Sequence, residues 1–422
     1  MAKLKKNSTN ALRVRREYSD IPVELPADGV IEKNEYYVAI SRNYKLARLA
    51  ALAMFLLYVL FMLATKSEDL TVANLQYLMR DLNLSTEGGE AFSGVSYSAE
   101  PIQRFGFYRN ELAYVTGRGV DLYAPTGSVG LSATLSYENP SIVVTDQYMM
   151  IYDLGGTSFS VYNSFSELSR GATDHTIIAG DMSKNGSFVL VTEGREYRAM
   201  VYLYNSDFEL RSVYKRSSYV SDAAISSDGG RLAMTSFGAD GGEFYTDVYI
   251  YEPGVDEPIS VKRIAGEYPL SLEDMGEGFC LLTTDNIYYL SSDGVEQGKY
   301  RHGGSIGTAS ICDEYVAITF PENTLGSENR IIILDGSLTV CYNAVIEEKI
   351  VDLTLSADGH CAVLTSGHGV MIDIASRTTS SQEISTSAKK LIATGGTTAL
   401  LCTTSSAKTL DFSASANSNM EE

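Results

Sequence analysis

Ser226-Ser227-Asp228-Gly229-Gly230-Arg231-Leu232-Ala233-Met234-Thr235 is a tight turn feeding a short apolar strand. Val248-Tyr249-Ile250-Tyr251 follows as a second strand. The Asp-Gly pair supplies the positive-φ residue that such a turn demands. Outward from this stretch the same two strands recur. Copies of the first read ELAYV (111–115), QYMMI (147–151), SFVLV (187–191), RLAMT (231–235), GFCLL (278–282), EYVAI (314–318), HCAVL (360–364) and TALLC (398–402). Their central residues, from Ala113 to Leu400, stand 36 to 47 residues apart. Copies of the second read VDLY, FSVY, VYLY, VYIY, IYYL, IIIL, VMID and KTLD, spaced by 38 to 47. Two independent markers thus keep one period.

Turn chemistry falls between the markers. Ser183-Lys184-Asn185-Gly186 and Ser356-Ala357-Asp358-Gly359 precede first-strand copies, whereas Ala124-Pro125-Thr126-Gly127, Ser292-Asp293-Gly294 and Asp335-Gly336 follow second-strand copies. A four-stranded unit repeating every ~40–45 residues is the pattern of a β-propeller blade. The fold expected is all-β, a propeller of eight blades, or seven if one marker is misread. The last unit, from Ser387, is short of its outermost strand, and Phe92–Tyr97 is placed to supply it and clasp the ring.

The S-x-D-G-x-x-L-A passage, Ser226 to Ala233, resembles the turn of TolB-like and other bacterial WD40-like propellers. The whole plan is similar to a family, chiefly clostridial, of Gram-positive single-pass membrane proteins that carry an exported propeller of no assigned function. The resemblance implies architecture and location and carries no catalytic residue across. Propellers of the WD40 type proper, Kelch blades and sialidases resemble families rich in signature tryptophans, and this chain of 422 residues has no Trp.

The membrane expectation also stands on the residues. Leu46 to Thr65 reads LARLAALAMFLLYVLFMLAT, with Arg48 its only charge. About 20 such residues span a bilayer as a helix, and Arg48 near one end can snorkel. Arg42, Lys45 and Arg48 crowd the N-terminal flank, and Lys66-Ser67-Glu68-Asp69 stands on the other. The positive-inside bias then keeps the N-terminus in the cytoplasm and exports the rest. A cleaved signal peptide fits less well, because the apolar run is long and about 45 residues precede it. Ser67 to Leu84 reads as a juxtamembrane helix with Leu75, Leu78, Met79 and Leu82 on one face. The expected organisation is a cytoplasmic basic tail over 1–45, a transmembrane helix over 46–65, a juxtamembrane helix and linker over 66–90, a propeller over 91–412 and a disordered tail over 413–422.

Charge narrows the function. The chain carries 33 Lys+Arg against 53 Asp+Glu, a net −20. Before Leu49 there are ten basic residues and six acids, so the head is +4 and the remainder −24. Such a chain is a poor partner for nucleic acid, whose binding rests on phosphate neutralisation. The exported part should favour basic partners or cations.

Local motifs read as structure. Gly303-Gly304-Ser305-Ile306-Gly307 matches G-x-S-x-G, but a strand-like CDEYVAITF follows where a nucleophile elbow needs a helix. His175, His302, His360 and His368 are scattered, and Asp240-Gly241-Gly242-Glu243 reads as a polar hairpin tip. Cys280, Cys361 and Cys402 lie in or beside marker strands as small hydrophobes, with Cys312 and Cys341 near strand ends. One or two disulfides are compatible with that count. Tyr202, Tyr204, Tyr249 and Tyr251 read as packing residues, a sugar- or peptide-binding face being the sharper alternative.

No catalytic, cofactor-binding or metal-ligating residue is assigned. The expected function is a membrane-anchored extracytoplasmic module that docks a protein, peptide or glycan of the bacterial envelope. The alternative is a hydrolase or lyase with its site at the central channel.

Overall fold

The computed structural model describes residues 48–58 and 91–413. Two units divide the chain, 1–75 and 76–422. Of the first, residues 48–58 are helical, and Leu49, Leu52, Met54, Phe55, Leu56, Leu57 and Tyr58 are all exposed. The remainder of the expected span and the Ser67–Leu84 helix lie outside the described residues. No helix among the described residues is long and apolar enough to cross a membrane.

In the second unit, eight four-stranded antiparallel sheets follow one another as an eight-bladed β-propeller. Blade 1 covers 103–134, blade 2 140–172, blade 3 177–216, blade 4 219–265, blade 5 269–301, blade 6 309–346 and blade 7 350–383. Blade 8 takes three strands from 388–411 and its fourth from Val95–Ser96. Within each blade the first strand is innermost. The marker strands found in sequence are the second and third, and the second strands are buried along nearly their whole length.

The core is a ring of interfaces rather than one central mass. Each of eight apolar clusters joins a pair of consecutive blades. Between blades 4 and 5, for example, Ala233, Val248 and Ile250 pack on Leu272, Phe279 and Leu281. A single blade would leave both such faces in water, so its stability depends on its neighbours. In the turns between first and second strands, Gly186, Gly229 and Gly359 take φ of 93°, 71° and 85°, values that other residues reach only with strain.

Blades 8 and 1 meet at the clasp. Val95 pairs with Ala407 and Ser96 with Ser406. Tyr97 then buries its ring on Tyr114 of blade 1, with centroids 4.3 Å apart. Its hydroxyl donates to a blade 8 carbonyl, with Thr403 O at 2.9 Å and Ser406 O at 2.8 Å. One short segment therefore pairs a strand in the last blade and packs a ring on the first.

A Ser or Thr recurs three residues after each marker centre in every blade but the second: Thr116, Thr192, Ser236, Thr283, Thr319, Thr365 and Thr403. Several cap the next turn, as where the N–H of Asn286 donates to Thr283 Oγ1 at 3.0 Å and that of His368 to Thr365 Oγ1 at 2.9 Å. Buried turn amides are satisfied this way without another strand.

The clasp makes the first testable case. Tyr97→Phe should cost about 1–3 kcal/mol, the worth of buried hydrogen bonds lost at one site. Val95→Asp, which puts a charge at a position 2 % exposed, should cost more. Urea unfolding of the full chain reads both as lowered midpoints, and an unchanged midpoint for Val95→Asp would mean that the clasp is dispensable.

Candidate functional site

The eight inner strands surround a channel. Two cavities lie along it, one of about 670 Å³ and one of about 1020 Å³, with Phe107, Ile142, Val144 and Lys390 lining both. The larger reaches the end that carries the turns between first and second strands. There Lys184 Nζ of blade 3 meets Asp313 Oδ2 of blade 6 at 2.7 Å, spanning the mouth. Both groups are half-exposed, so the pair adds little stability.

Charge is divided around the wall. Blades 3 to 5 contribute Asp181, Asp222, Glu273 and Asp274, and blade 8 contributes Lys390. A local device aims these groups. Inner strands of blades 3, 4, 5, 7 and 8 slip register by one residue after the first or second pair, and Asp222, Asp352 and Lys390 each resume the pairing after the slip. A β-bulge of this kind bends a strand and redirects the side chain beyond it.

The aspartates reach sideways rather than into open solvent. Asp181 Oδ2 accepts the N–H of Ile225 in blade 4 at 2.9 Å, and Asp222 Oδ2 accepts that of Leu272 in blade 5 at 2.9 Å. Hydroxyls repeat the arrangement further round. Ser310 Oγ accepts the N–H of Leu355 at 3.1 Å, and Thr354 Oγ1 that of Ala393 at 3.0 Å. Each acceptor sits on one blade, and the donor is the free inner edge of the next. Asp274 binds backward, accepting the Ser227 N–H at 2.9 Å and the Ser227 hydroxyl.

Burial opposes ionisation of these acids. Desolvation pushes Asp222 up to about 7, with neighbouring Asp181 adding to it against the N–H bonds from Leu272 and Ala223. Glu273 is pushed up to about 8 by the protein wall around it, then by the carboxyls of Asp222 and Asp181. Its side chain is nevertheless exposed toward the channel, and solvent there moderates that cost. Burial likewise raises Asp274 to about 6 and raises Asp181 and Asp352.

The motifs singled out in sequence do not converge here. Gly303 to Gly307 form the loop between blades 5 and 6, and no helix follows. Asp240 pairs with Glu243 at a hairpin tip. His302 bonds the Gly304 and Thr283 carbonyls, and His368 Nδ1 meets Glu348 Oε1 at 2.5 Å on the ring's opposite end. All five cysteines are free thiols. Tyr202, Tyr204 and Tyr251 are buried packing residues. The channel acids themselves were not singled out, although a signal was present. Asp222 and Asp352 each stand four residues before the serine of a turn, and Asp181 stands two before one.

Residues 96–411 match the family described as "Family of unknown function (DUF5711)". The chain belongs to this family. No curated protein matches the DUF5711 chain in sequence. Its fold is similar to that of the computationally designed Ika8 protein, with a TM-score of 0.56 and 12 % identity over 76 % of this chain and 100 % of that one. It is also similar to BamB from Moraxella catarrhalis, with a TM-score of 0.51 and 8 % identity over 75 % and 100 % of the respective chains. At such identities the likeness extends to the fold alone.

The raised acids set a pH dependence for the DUF5711 chain. Folded, Asp222, Glu273 and Asp274 hold protons that the unfolded chain has released, so their effect is a stability that falls as pH rises from about 4 through about 8. Carboxylates held low, such as Glu167 beside the Arg170 guanidinium, act only below that window. The melting temperature should drop by a few degrees between pH 5.5 and 7.5, at roughly 2 °C per kcal/mol for a domain of this size. Asp222→Asn should flatten the slope, and a melting temperature that rises over this interval would contradict the assignment.

Proposed function

We propose that the chain is a membrane-anchored, extracytoplasmic interaction module of the bacterial envelope, its propeller docking a protein, peptide or glycan while the basic tail stays in the cytoplasm. The carrying observation is what the channel acids already do. Asp181, Asp222 and Asp274, the groups a channel enzyme would draw on, are bonded to backbone and hydroxyl donors of neighbouring blades. Their first task is to hold the ring.

Support for the anchor comes from the described part of Leu46–Thr65. Residues 48–58 form a helix with exposed Leu, Met and Phe on every side, a surface suited to lipid and costly in water. The +4 head and −24 remainder favour the stated orientation. The single span, the bilayer contact and the envelope location belong to this reading.

A second reading, an extracytoplasmic hydrolase or lyase, draws on Glu273. This carboxyl makes no hydrogen bond or ion pair among the described residues, and the protein wall and the neighbouring Asp222 and Asp181 push its pKa upward, toward the protonated form that a general acid needs. Turnover of esters, peptides or glycans by the full chain, abolished in Glu273→Gln, would replace the module with the enzyme.

The anchor is tested on intact cells stripped of their wall. External protease should remove the propeller and leave the N-terminal tail protected, and alkaline carbonate should leave the untreated chain in the membrane pellet. A propeller that resists protease until the cells are lysed would refute the orientation.

A further inference from the structure

Blade 4 departs from the others. Its middle strands, Leu232–Asp240 and Glu243–Tyr251, run nine residues each, whereas those of the other blades run five to seven. The extension stands at the end of the ring opposite the Lys184–Asp313 mouth and carries Phe244, 61 % exposed.

Beside it runs a column of stacked groups. Tyr219 and Phe237 are cross-strand partners, with ring centroids 5.7 Å apart and 15° between planes. Tyr268, from the connection into blade 5, lies 4.5 Å from Phe237. The Arg198 guanidinium, from blade 3, lies 4.7 Å from the Tyr219 ring centre. Tyr219 is 50 % exposed and Tyr268 38 %. Register places Phe237 and Phe244 on one face of blade 4, since Phe237 opposes Thr246, Ala239 opposes Phe244, and alternate residues share a face. Three blades thus contribute to one open apolar patch.

Nothing inside the described protein explains why the patch is left uncovered. Exposed aromatics of this density are a cost in water, and Tyr, Phe and Arg are the residues that dominate protein–protein hot spots. The cation supplies the complementarity. Arg198 is exposed and its guanidinium makes no ion pair and no hydrogen bond among the described residues, and it lies over the Tyr219 face. A stacked guanidinium keeps its N–H fork free, and that fork fits a carboxylate bidentately. Lys215, over Tyr197 at 5.4 Å, is a second cation with no acid within ion-pair distance among the described residues. In a chain of net −20, these two cations beside exposed rings are able to receive an acidic group.

We infer that this face is a docking site for a protein segment that presents a large apolar side chain next to an Asp or Glu. The apolar group would seat against Phe244, Phe237 and Tyr268, and the carboxylate would meet Arg198. This assignment rests on the interaction reading above and names its surface and partner chemistry.

The full chain, held in nanodiscs, is screened with a displayed library of random peptides. Enriched peptides should pair a large apolar residue with a neighbouring Asp or Glu. A synthetic copy of one should lose about tenfold or more in affinity on Arg198→Glu or on Phe244→Ala, the scale of a hot-spot residue. Replacing the peptide's acid by Lys should restore binding to the Arg198→Glu chain. Leu325→Ala, at an 85 % exposed tip of blade 6, should leave affinity unchanged, and equal melting temperatures show that each variant is folded. Peptides that lack the acid, or whose binding ignores both substitutions, overturn this surface while leaving the interaction reading intact. Binding to a carbohydrate array but to no peptide, lost on Phe244→Ala, overturns the protein partner. A chain that binds neither contradicts both the surface and the reading beneath it.

Discussion

A four-stranded blade standing alone has two apolar faces to cover, and at its inner edge alternate N–H groups have no strand to pair with. Packing blades face to face hides the two faces, and the eight clusters between neighbours do so. The edge needs a separate answer, because a ninth strand cannot run up the channel. Side-chain acceptors on one blade meet it by reaching to the N–H groups of the next, as from Asp181 to Ile225 and from Asp222 to Leu272. Unpaired edges are otherwise sites of association.

This solution has an electrostatic consequence. Carboxylates are strong acceptors, but gathering Asp181, Asp222, Glu273 and Asp274 on one wall places like charges together in a confined space. Their protons are retained into the neutral range, and the channel is less anionic than its composition suggests. Serine and threonine do the same work in blades 6 and 7 without that cost. The channel is therefore a structural element first, and the docking surface proposed above lies out on the rim, where blade 4 is lengthened.

The fold was legible because repetition amplifies a weak signal. No single copy of SFVLV or VYLY distinguishes a propeller, but eight copies at one spacing leave few alternatives. The clasp was legible too: a last unit short of one strand, and apolar residues near Phe92 free to supply it. The channel was harder to read. Asp222 and Asp352 come from blades separated by more than a hundred residues, and only a register slip of one residue aims each. The aromatic column was hidden for the same reason, since Arg198, Tyr219, Phe237 and Tyr268 meet across three blades. The long hairpin that borders it left a trace in the wide spacing around blade 4. Tyr202 with Tyr204, and Tyr249 with Tyr251, were legible as packing because alternation within each strand is local information; Tyr249 is half-buried and the other three are buried.

The central claim is that side chains close the inner edge. Native-state hydrogen exchange of the backbone amides of Ile225, Leu272, Leu355 and Ala393 tests it most directly. Protected as described, these four amides exchange only with unfolding of the whole ring, as slowly as those of the buried second strands. Exchange at the rate of open loops, with the ring still folded, would contradict the account.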